Sequence, residues 1–383
     1  MKSWQACVVG ACLLAACSAP PQDQAAATKT AAPRGPVIGE ASAPGAPSRE
    51  ASNTEAQPVV LAQATATPTI TPSESEVGRK VNAAAWASTA MNAETKRAVL
   101  IRVQVLLDRA HFSPGVIDGR EGSNMKKAIA AYETANGLTA DGLLDEAVWT
   151  KLSGADAQPV LTDYAITEGD VKGPFLAEIP SDYKAMSKLS ALSYRSPQEL
   201  LAEKFHMDEA LLTALNPGAD FTQAGTKIVV VAPAADELPA QLTRIEVDKA
   251  VRQVRAYAGD TLVAAYPATV GSSERPAPEG EWAVRSVALD PNYNYDPSRL
   301  TFGDMKGGKM TIPPGPNNPV GAVWIALTKD TYGIHGAPEP RLVGKTASHG
   351  CVRLTNWDAR ELASAAKKGT PVVFVGSETP AKA

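Results

Sequence analysis

The hydrophobic rhythm of this chain changes near Leu242, and that change constrains the fold more than any other feature. Before it, apolar residues return every three or four positions. After it, they return at short spacing around turns. Ile245, Val247, Val251, Val254 and Tyr257 form the first such set, and Gly259-Asp260 suggests a hairpin. Runs at 262–270, 282–289, 323–327 and 372–375 read as further strands. Several short strands so spaced predict a sandwich or a small barrel. One helix interrupts them, capped by Asn356, carrying Leu362, Ala363 and Ala366 and closed by Gly369. A chain of 383 residues has room for two or three domains. The expected fold class is multidomain: a mainly β domain at 242–377, preceded by a small three-helix domain and a βααβ module.

The three-helix domain spans 86–155. Val99, Val103, Leu106 and Leu107 share one face of a first helix, and Asp118-Gly119 is a turn. Ser123 reads as the N-cap of a second helix, with Met125, Ile129 and Tyr132 on one face and a stop at Asn136-Gly137. Asp145 caps a short third helix holding Trp149 and Leu152. With Gln104, Val116-Ile117, Ala128 and Leu138 these residues resemble the peptidoglycan-binding-like domain, which implies wall glycan as a partner. His111 stands where a loop glycine or polar residue is ordinary. The βααβ module is expected at 185–234. Ser196-Pro197-Gln198-Glu199 is a capping box with proline at the first helical position, followed by Leu200, Leu201 and Phe205. Asp208 caps a second helix with Leu211, Leu212 and Leu215, and a strand follows at 228–231. The pattern resembles a degenerate LysM module, with Ser196-Pro197 where Gly-Asp is usual. Glycan binding and packing against the β domain are both open uses.

The chemistry concentrates in 335–353. His335-Gly336 and Ser348-His349-Gly350-Cys351-Val352-Arg353 hold two of the four histidines and one of the four cysteines. A thiolate is the reactive form of cysteine, and a neighbouring imidazole produces one, so Cys351 suits a nucleophile and His335 its base. If 349–353 is extended, His349, Cys351 and Arg353 share a face. Arg353 could then hold a substrate carboxylate by two parallel bonds. Gly350 lets backbone N–H groups approach a developing oxyanion. The residue types alone also admit an inert buried thiol, or a zinc site from His335, His349 and Cys351 that the Arg353 charge would oppose. A sortase-like thiol acyltransferase shares the order His, Cys, Arg. The segment 289–311, with Tyr293, Tyr295 and Phe302, is too long for a tight hairpin and is expected to cover the site together with a proline-rich loop.

The spacing of His335-Gly336 and the Ser-His-Gly-Cys-hydrophobic-Arg block closely resembles the signature of the L,D-transpeptidases (the YkuD family). Pro313-Pro314-Gly315-Pro316-Asn317-Asn318-Pro319-Val320-Gly321 and Trp324 resemble it too. The resemblance implies a β-sandwich-like domain and acyl transfer through a Cys351 thioester on peptidoglycan stem peptides, forming 3→3 cross-links with loss of D-alanine. It implies His335 as proton donor and acceptor, oriented by the Gly336 carbonyl, and no cofactor or metal. His349 would shape the pocket, with Gly350 in the oxyanion region. Arg353, Ser348, Tyr332 and Trp324 would bind substrate. Carboxypeptidase activity, ligation of a protein amine to the wall, and a vestigial wall-binding lipoprotein remain alternatives.

Residues 1–16 read as a signal peptide, with Lys2 before a short apolar run and Leu14-Ala15-Ala16-Cys17 resembling a lipobox. Lipidation of Cys17 would anchor the protein to a membrane. Cys7 and Cys12 would leave with the signal, so Cys351 would be the one thiol of the mature protein. Ser18, rather than aspartate, after the lipidated cysteine favours the inner leaflet of the outer membrane, facing the periplasm. Residues 17–85, rich in Ala, Pro and Thr, are expected to be a disordered tether spanning roughly 40–50 Å. A formal charge of −4 gives no electrostatic case for nucleic acid as a partner.

Overall fold

The computed structural model describes residues 69–271, 276–299, 308–346, 348 and 350–378. All belong to one compact unit, Ala66–Ala383. The proposed signal, Cys17, the tether as far as residue 68, His349, and residues 300–307 of the segment expected to cover the site lie outside the described residues. Among the described residues, no helix is long and apolar enough to cross a membrane.

Four helices come first: α1 (Glu76–Asn82), α2 (Ala93–Arg109), α3 (Ser123–Ala135) and α4 (Glu146–Ala155). The expected tether included α1, but short polar side chains fix that helix to the fold. Ser75 Oγ accepts from the Gly78 N–H at its start. Asn82 Oδ1 accepts from the N–H groups of Val160 and Leu161, both at 2.9 Å. Composition is blind to such contacts. In α3, Gly122 rather than Ser123 occupies the cap, with no side-chain cap bond. Asp145 caps α4.

Next come β1 (Leu161–Ala165), α5 (Glu168–Lys172), α6 (Tyr183–Met186), α7 (Pro197–Lys204), α8 (Glu209–Leu215) and β2 (Lys227–Val231). β1 pairs antiparallel with β2, from Leu161 opposite Val231 to Ala165 opposite Lys227. The βααβ unit thus starts upstream of residue 185, and 166–196 is an insertion after its first strand. Ser196 caps α7, but the Glu199 carboxylate accepts from the N–H of Arg195, so the box closes one residue early.

The remainder holds β3 (Arg244–Asp248), β4 (Gln253–Ala258), β5 (Thr261–Pro267), β6 (Gly280–Leu289), β7 (Tyr293–Tyr295), β8 (Met310–Ile312), β9 (Val323–Leu327), β10 (Gly333–His335), β11 (Val352–Arg353), α9 (Asn356–Ala365) and β12 (Pro371–Val375). The mainly β domain is one eight-stranded sheet in the order β11-β10-β9-β6-β12-β3-β4-β5. It curls until its ends meet: beyond β5, Thr269 exchanges backbone hydrogen bonds of 2.9 and 2.8 Å with Arg353 in β11. Inside lie Ile245, Val254, Ile325, Ile334, Val352 and Val372, all buried. Thr355, not Asn356, caps α9 by accepting from Asp358. That frees Asn356 for the site.

The modules are fused rather than strung. Residues 111–113 bond to Ala265 and cover the edge of β5, which would otherwise be an open pairing surface. His111 makes that turn at φ 66, and its ring pairs with Glu361 of α9. His206 bonds to Asp108 at 3.1 Å and stacks on Trp357, with ring centroids 5.0 Å apart. Burial opposes charge on His206, but Asp108 and then Asp236 outweigh it and push its pKa up to about 10. Burial lifts Glu203 to about 7 and Asp358 to about 8.

All three groups hold their proton more tightly folded than unfolded. Each therefore stabilises the fold below its unfolded pKa and loses that contribution as pH rises through its folded value. Unfolding midpoints in urea are expected to fall from pH 6.5 to pH 10. Asp108→Asn should cost about 3–5 kcal/mol at pH 7, because it strands a buried charge, and should flatten the fall above pH 8.

Candidate active site

β10 and β11 pair in parallel, with Ile334 opposite Val352 and His335 opposite Arg353. Ile334 and Val352 face the core, so alternation turns His335 and Arg353 to the other face. Cys351, two residues before Arg353, falls on that face too, beside Gly333. Antiparallel pairing with β9 sets Trp324 opposite His335, and their rings stack at 5.3 Å and 28°. A side chain at 333 has no room: its Cβ would lie 2.7 Å from the Trp324 ring. His335, Cys351, Arg353, Trp324 and Tyr332 line one cavity of about 670 Å³.

His335 is 3% exposed, and its Nδ1 bonds to the Gly336 carbonyl at 2.7 Å. A carbonyl only accepts, so Nδ1 carries the hydrogen and Nε2 keeps its lone pair. Burial, then the Arg353 charge, pull the imidazole pKa down to about 3, while the backbone at Gly336 and Val320 favours the charged form less strongly. Gly336 is itself wedged in place. A Cβ there would lie 2.1 Å from Asn356 Oδ1, and one at Gly321, at φ 62, would lie 2.2 Å from the same atom. Asn356 Oδ1 accepts from the Ala322 N–H at 2.9 Å. Its Nδ2 donates to the Glu203 carboxylate at 3.0 and 3.2 Å and to the Pro316 carbonyl at 3.2 Å. Sequence reasoning placed neither Asn356 nor Glu203 here. The one available signal was a pair of adjacent cap-forming residues, Thr355 and Asn356, of which a helix uses one.

Cys351 is half-buried, and its thiol donates to the Thr331 carbonyl at 3.8 Å. Burial raises its pKa, more than the Gly333 backbone and Arg353 lower it. The resting pair is therefore neutral thiol and neutral imidazole, not an ion pair. Ser348, expected to touch substrate, is 4% exposed and shapes the turn instead: its hydroxyl donates to the Cys351 carbonyl and accepts from the Gly350 N–H at 3.2 Å. That N–H is therefore engaged, and Gly350 serves the turn at φ 114, packed under the Tyr332 ring. Arg353 Nε is buried without a hydrogen-bond partner, and no carboxylate among the described residues pairs with this guanidinium. Among those residues, no cluster of three or more His, Cys, Asp or Glu could hold a metal ion.

Residues 242–374 match the model of the L,D-transpeptidase catalytic domain, and 97–152 that of a putative peptidoglycan-binding domain. A putative L,D-transpeptidase YkuD of Bacillus licheniformis is 31% identical over 174 residues, covering 45% of this chain and 90% of the relative. The chain belongs to the L,D-transpeptidase (YkuD) family. The probable L,D-transpeptidase YbiS of Escherichia coli is 26% identical over 49% of this chain and 62% of its own length. L,D-transpeptidase 3 of Mycobacterium tuberculosis, solved with a faropenem-derived adduct, aligns with a TM-score of 0.30 at 16% identity, covering 40% of this chain and 75% of that one.

In this transpeptidase the thiol and imidazole stay neutral from pH 5 to 8. The rate of acylation by a carbapenem, followed by stopped-flow fluorescence, is expected to show no acidic limb between pH 5 and 7.5. A limb near pH 6.5 would contradict the neutral pair. Gly336→Ala should lower the same rate roughly 100-fold by displacing the carbonyl that orients His335.

Proposed function

We propose that Cys351 carries the acyl group of a peptidoglycan tetrapeptide stem and that His335 moves the protons. The reading rests on one observation: a thiol and an imidazole whose Nδ1 is committed to the Gly336 carbonyl line the same cavity as a guanidinium that has no carboxylate partner among the described residues. As Cys351 attacks the carbonyl before the terminal D-alanine, its proton passes to His335 Nε2. Backbone N–H groups other than the engaged one of Gly350 stabilise the oxyanion, each donor being worth about 3–4 kcal/mol. Collapse of the intermediate breaks the C–N bond, and the imidazolium gives its proton to the departing amine. The charge of Arg353 disfavours a lasting imidazolium, which drives that return. A diaminopimelate amine of a neighbouring stem then attacks the thioester, forms the 3→3 amide and restores the thiol. Arg353 holds a carboxylate of the donor stem, and Trp324 and Tyr332 form walls.

The same reading places the enzyme at the wall from a lipid anchor. Cys17 carries the acyl chains, and the inner leaflet of the outer membrane is the seat. The helical and βααβ modules hold glycan strands near the cavity.

Purified protein incubated with tetrapeptide muropeptides is expected to release D-alanine and yield dimers whose mass and fragmentation locate a 3→3 bond. Trimmed monomers alone would make it a carboxypeptidase. A carbapenem should add its mass to the wild type and not to Cys351→Ala.

A further inference from the structure

The insertion at 166–196 leaves the βααβ unit and crosses to the catalytic domain. Met186 and Leu192 bury against Ile312 of β8, with Leu189 and Tyr293 packed around them. Backbone bonds fix the arm to the proline-rich loop. The Leu192 N–H donates to the Pro314 carbonyl at 2.8 Å, and the Leu192 carbonyl accepts from the Asn317 N–H at 3.0 Å. Asn317 Nδ2 donates to the Ser193 carbonyl at 3.0 Å. The approach is close enough to require glycine at 315, where a Cβ would lie 2.2 Å from the Leu192 carbonyl oxygen.

The arm delivers Tyr183, the first residue of α6, into the cavity that holds Cys351, His335 and Arg353. Its ring meets Tyr293 and Tyr295 edge-on, at 5.7 and 4.8 Å between centroids. This aromatic group fixes the ring, and the Tyr183 hydroxyl oxygen accepts from the Tyr293 hydroxyl, which leaves its own hydrogen to donate. Burial raises the Tyr183 pKa, and the Arg353 charge is the strongest influence in the other direction, which puts hydroxyl and guanidinium in each other's field. Arg353, whose Nε is buried without a hydrogen-bond partner, lines the same cavity.

We infer that Tyr183 is a specificity-determining residue of the transpeptidase: its hydroxyl donates to the donor-stem carboxylate that Arg353 holds. A carboxylate has about four lone-pair sites, so a guanidinium and a phenol can share one. A stem whose carboxyl is amidated offers neither charge nor the same acceptors. The inference rests on the stem-peptide reading above. It also means that a module outside the catalytic domain supplies part of the donor site, so substrate choice depends on the docking of the two.

Tyr183→Phe keeps the ring and its packing and removes the hydroxyl together with its bond to Tyr293, so the comparison of free and amidated donors carries the test. Full-length wild type and Tyr183→Phe are compared on tetrapeptide donors whose diaminopimelate carboxyl is free or amidated. With the free carboxyl, KM is expected to rise about tenfold in the variant, the weight of one hydrogen bond to a charged group. With the amidated donor, no such rise is expected. An unchanged KM on the free donor, or an equal rise on both, overturns the inference. Carbapenem labelling of the wild type is measured alongside: its failure would defeat the thioester reading itself, whereas labelling with no Tyr183 effect would defeat this inference alone.

Discussion

Two register pairs between short parallel strands, Ile334 with Val352 and His335 with Arg353, set the positions of the reactive groups. Burying the first pair in the core commits the second to the cavity. A one-residue slip would send the imidazole and guanidinium inward and the aliphatic chains out. Strands of two and three residues cannot hold a register alone. β9 fixes one side through Trp324 opposite His335, and Thr269 closes the other by exchanging hydrogen bonds with Arg353. The face that carries the thiol, imidazole and guanidinium is thus also the place where the sheet closes.

The His335 imidazole has a support that extends beyond its own domain. The carbonyl of Gly336 selects the imidazole tautomer, the Asn356 carboxamide wedges Gly336, and Glu203 of α7 and the Pro316 carbonyl hold that carboxamide. Such supporting bonds orient a catalytic group without touching substrate. The same junction buries His206, Asp108, Glu361 and Asp358, which ties the helical modules to α9 by charge as well as by packing. A wall-binding function of those modules and their fusion to the catalytic domain are compatible, because the fused faces are interior.

Much of the β domain was legible. The run expected at 262–270 covers most of β5 but overruns its end at Pro267 by three residues, 282–289 lies within β6, 323–327 is β9, and 372–375 lies within β12. Each carries enough apolar residues for alternation to register. β10 and β11 are too short for any period, and only the residue types around them announced the site. β1 was missed because its partner β2 lies beyond a long insertion, and local pattern carries no information about pairing at that distance. α1 was folded into the tether because serines and an asparagine, ordinary in a disordered segment, bind it. Asn356 was read as a cap because Thr355 beside it serves equally well, and the choice is made by tertiary contact with Gly336. Ser348 sits in the signature as expected, yet its hydroxyl is spent on the turn that presents the thiol. His111, an oddity in the sequence, is explained by a left-handed turn and a carboxylate far along the chain.

The account stands on the sulfur of Cys351 acting from this face as nucleophile. Peptide mapping of the enzyme, acid-quenched during turnover on a tetrapeptide donor, measures that directly. The donor acyl group should appear on the peptide containing Cys351, in a thioester labile to hydroxylamine, with one D-alanine released per acyl group. An acyl group on another residue, or turnover without any covalent intermediate, would contradict it.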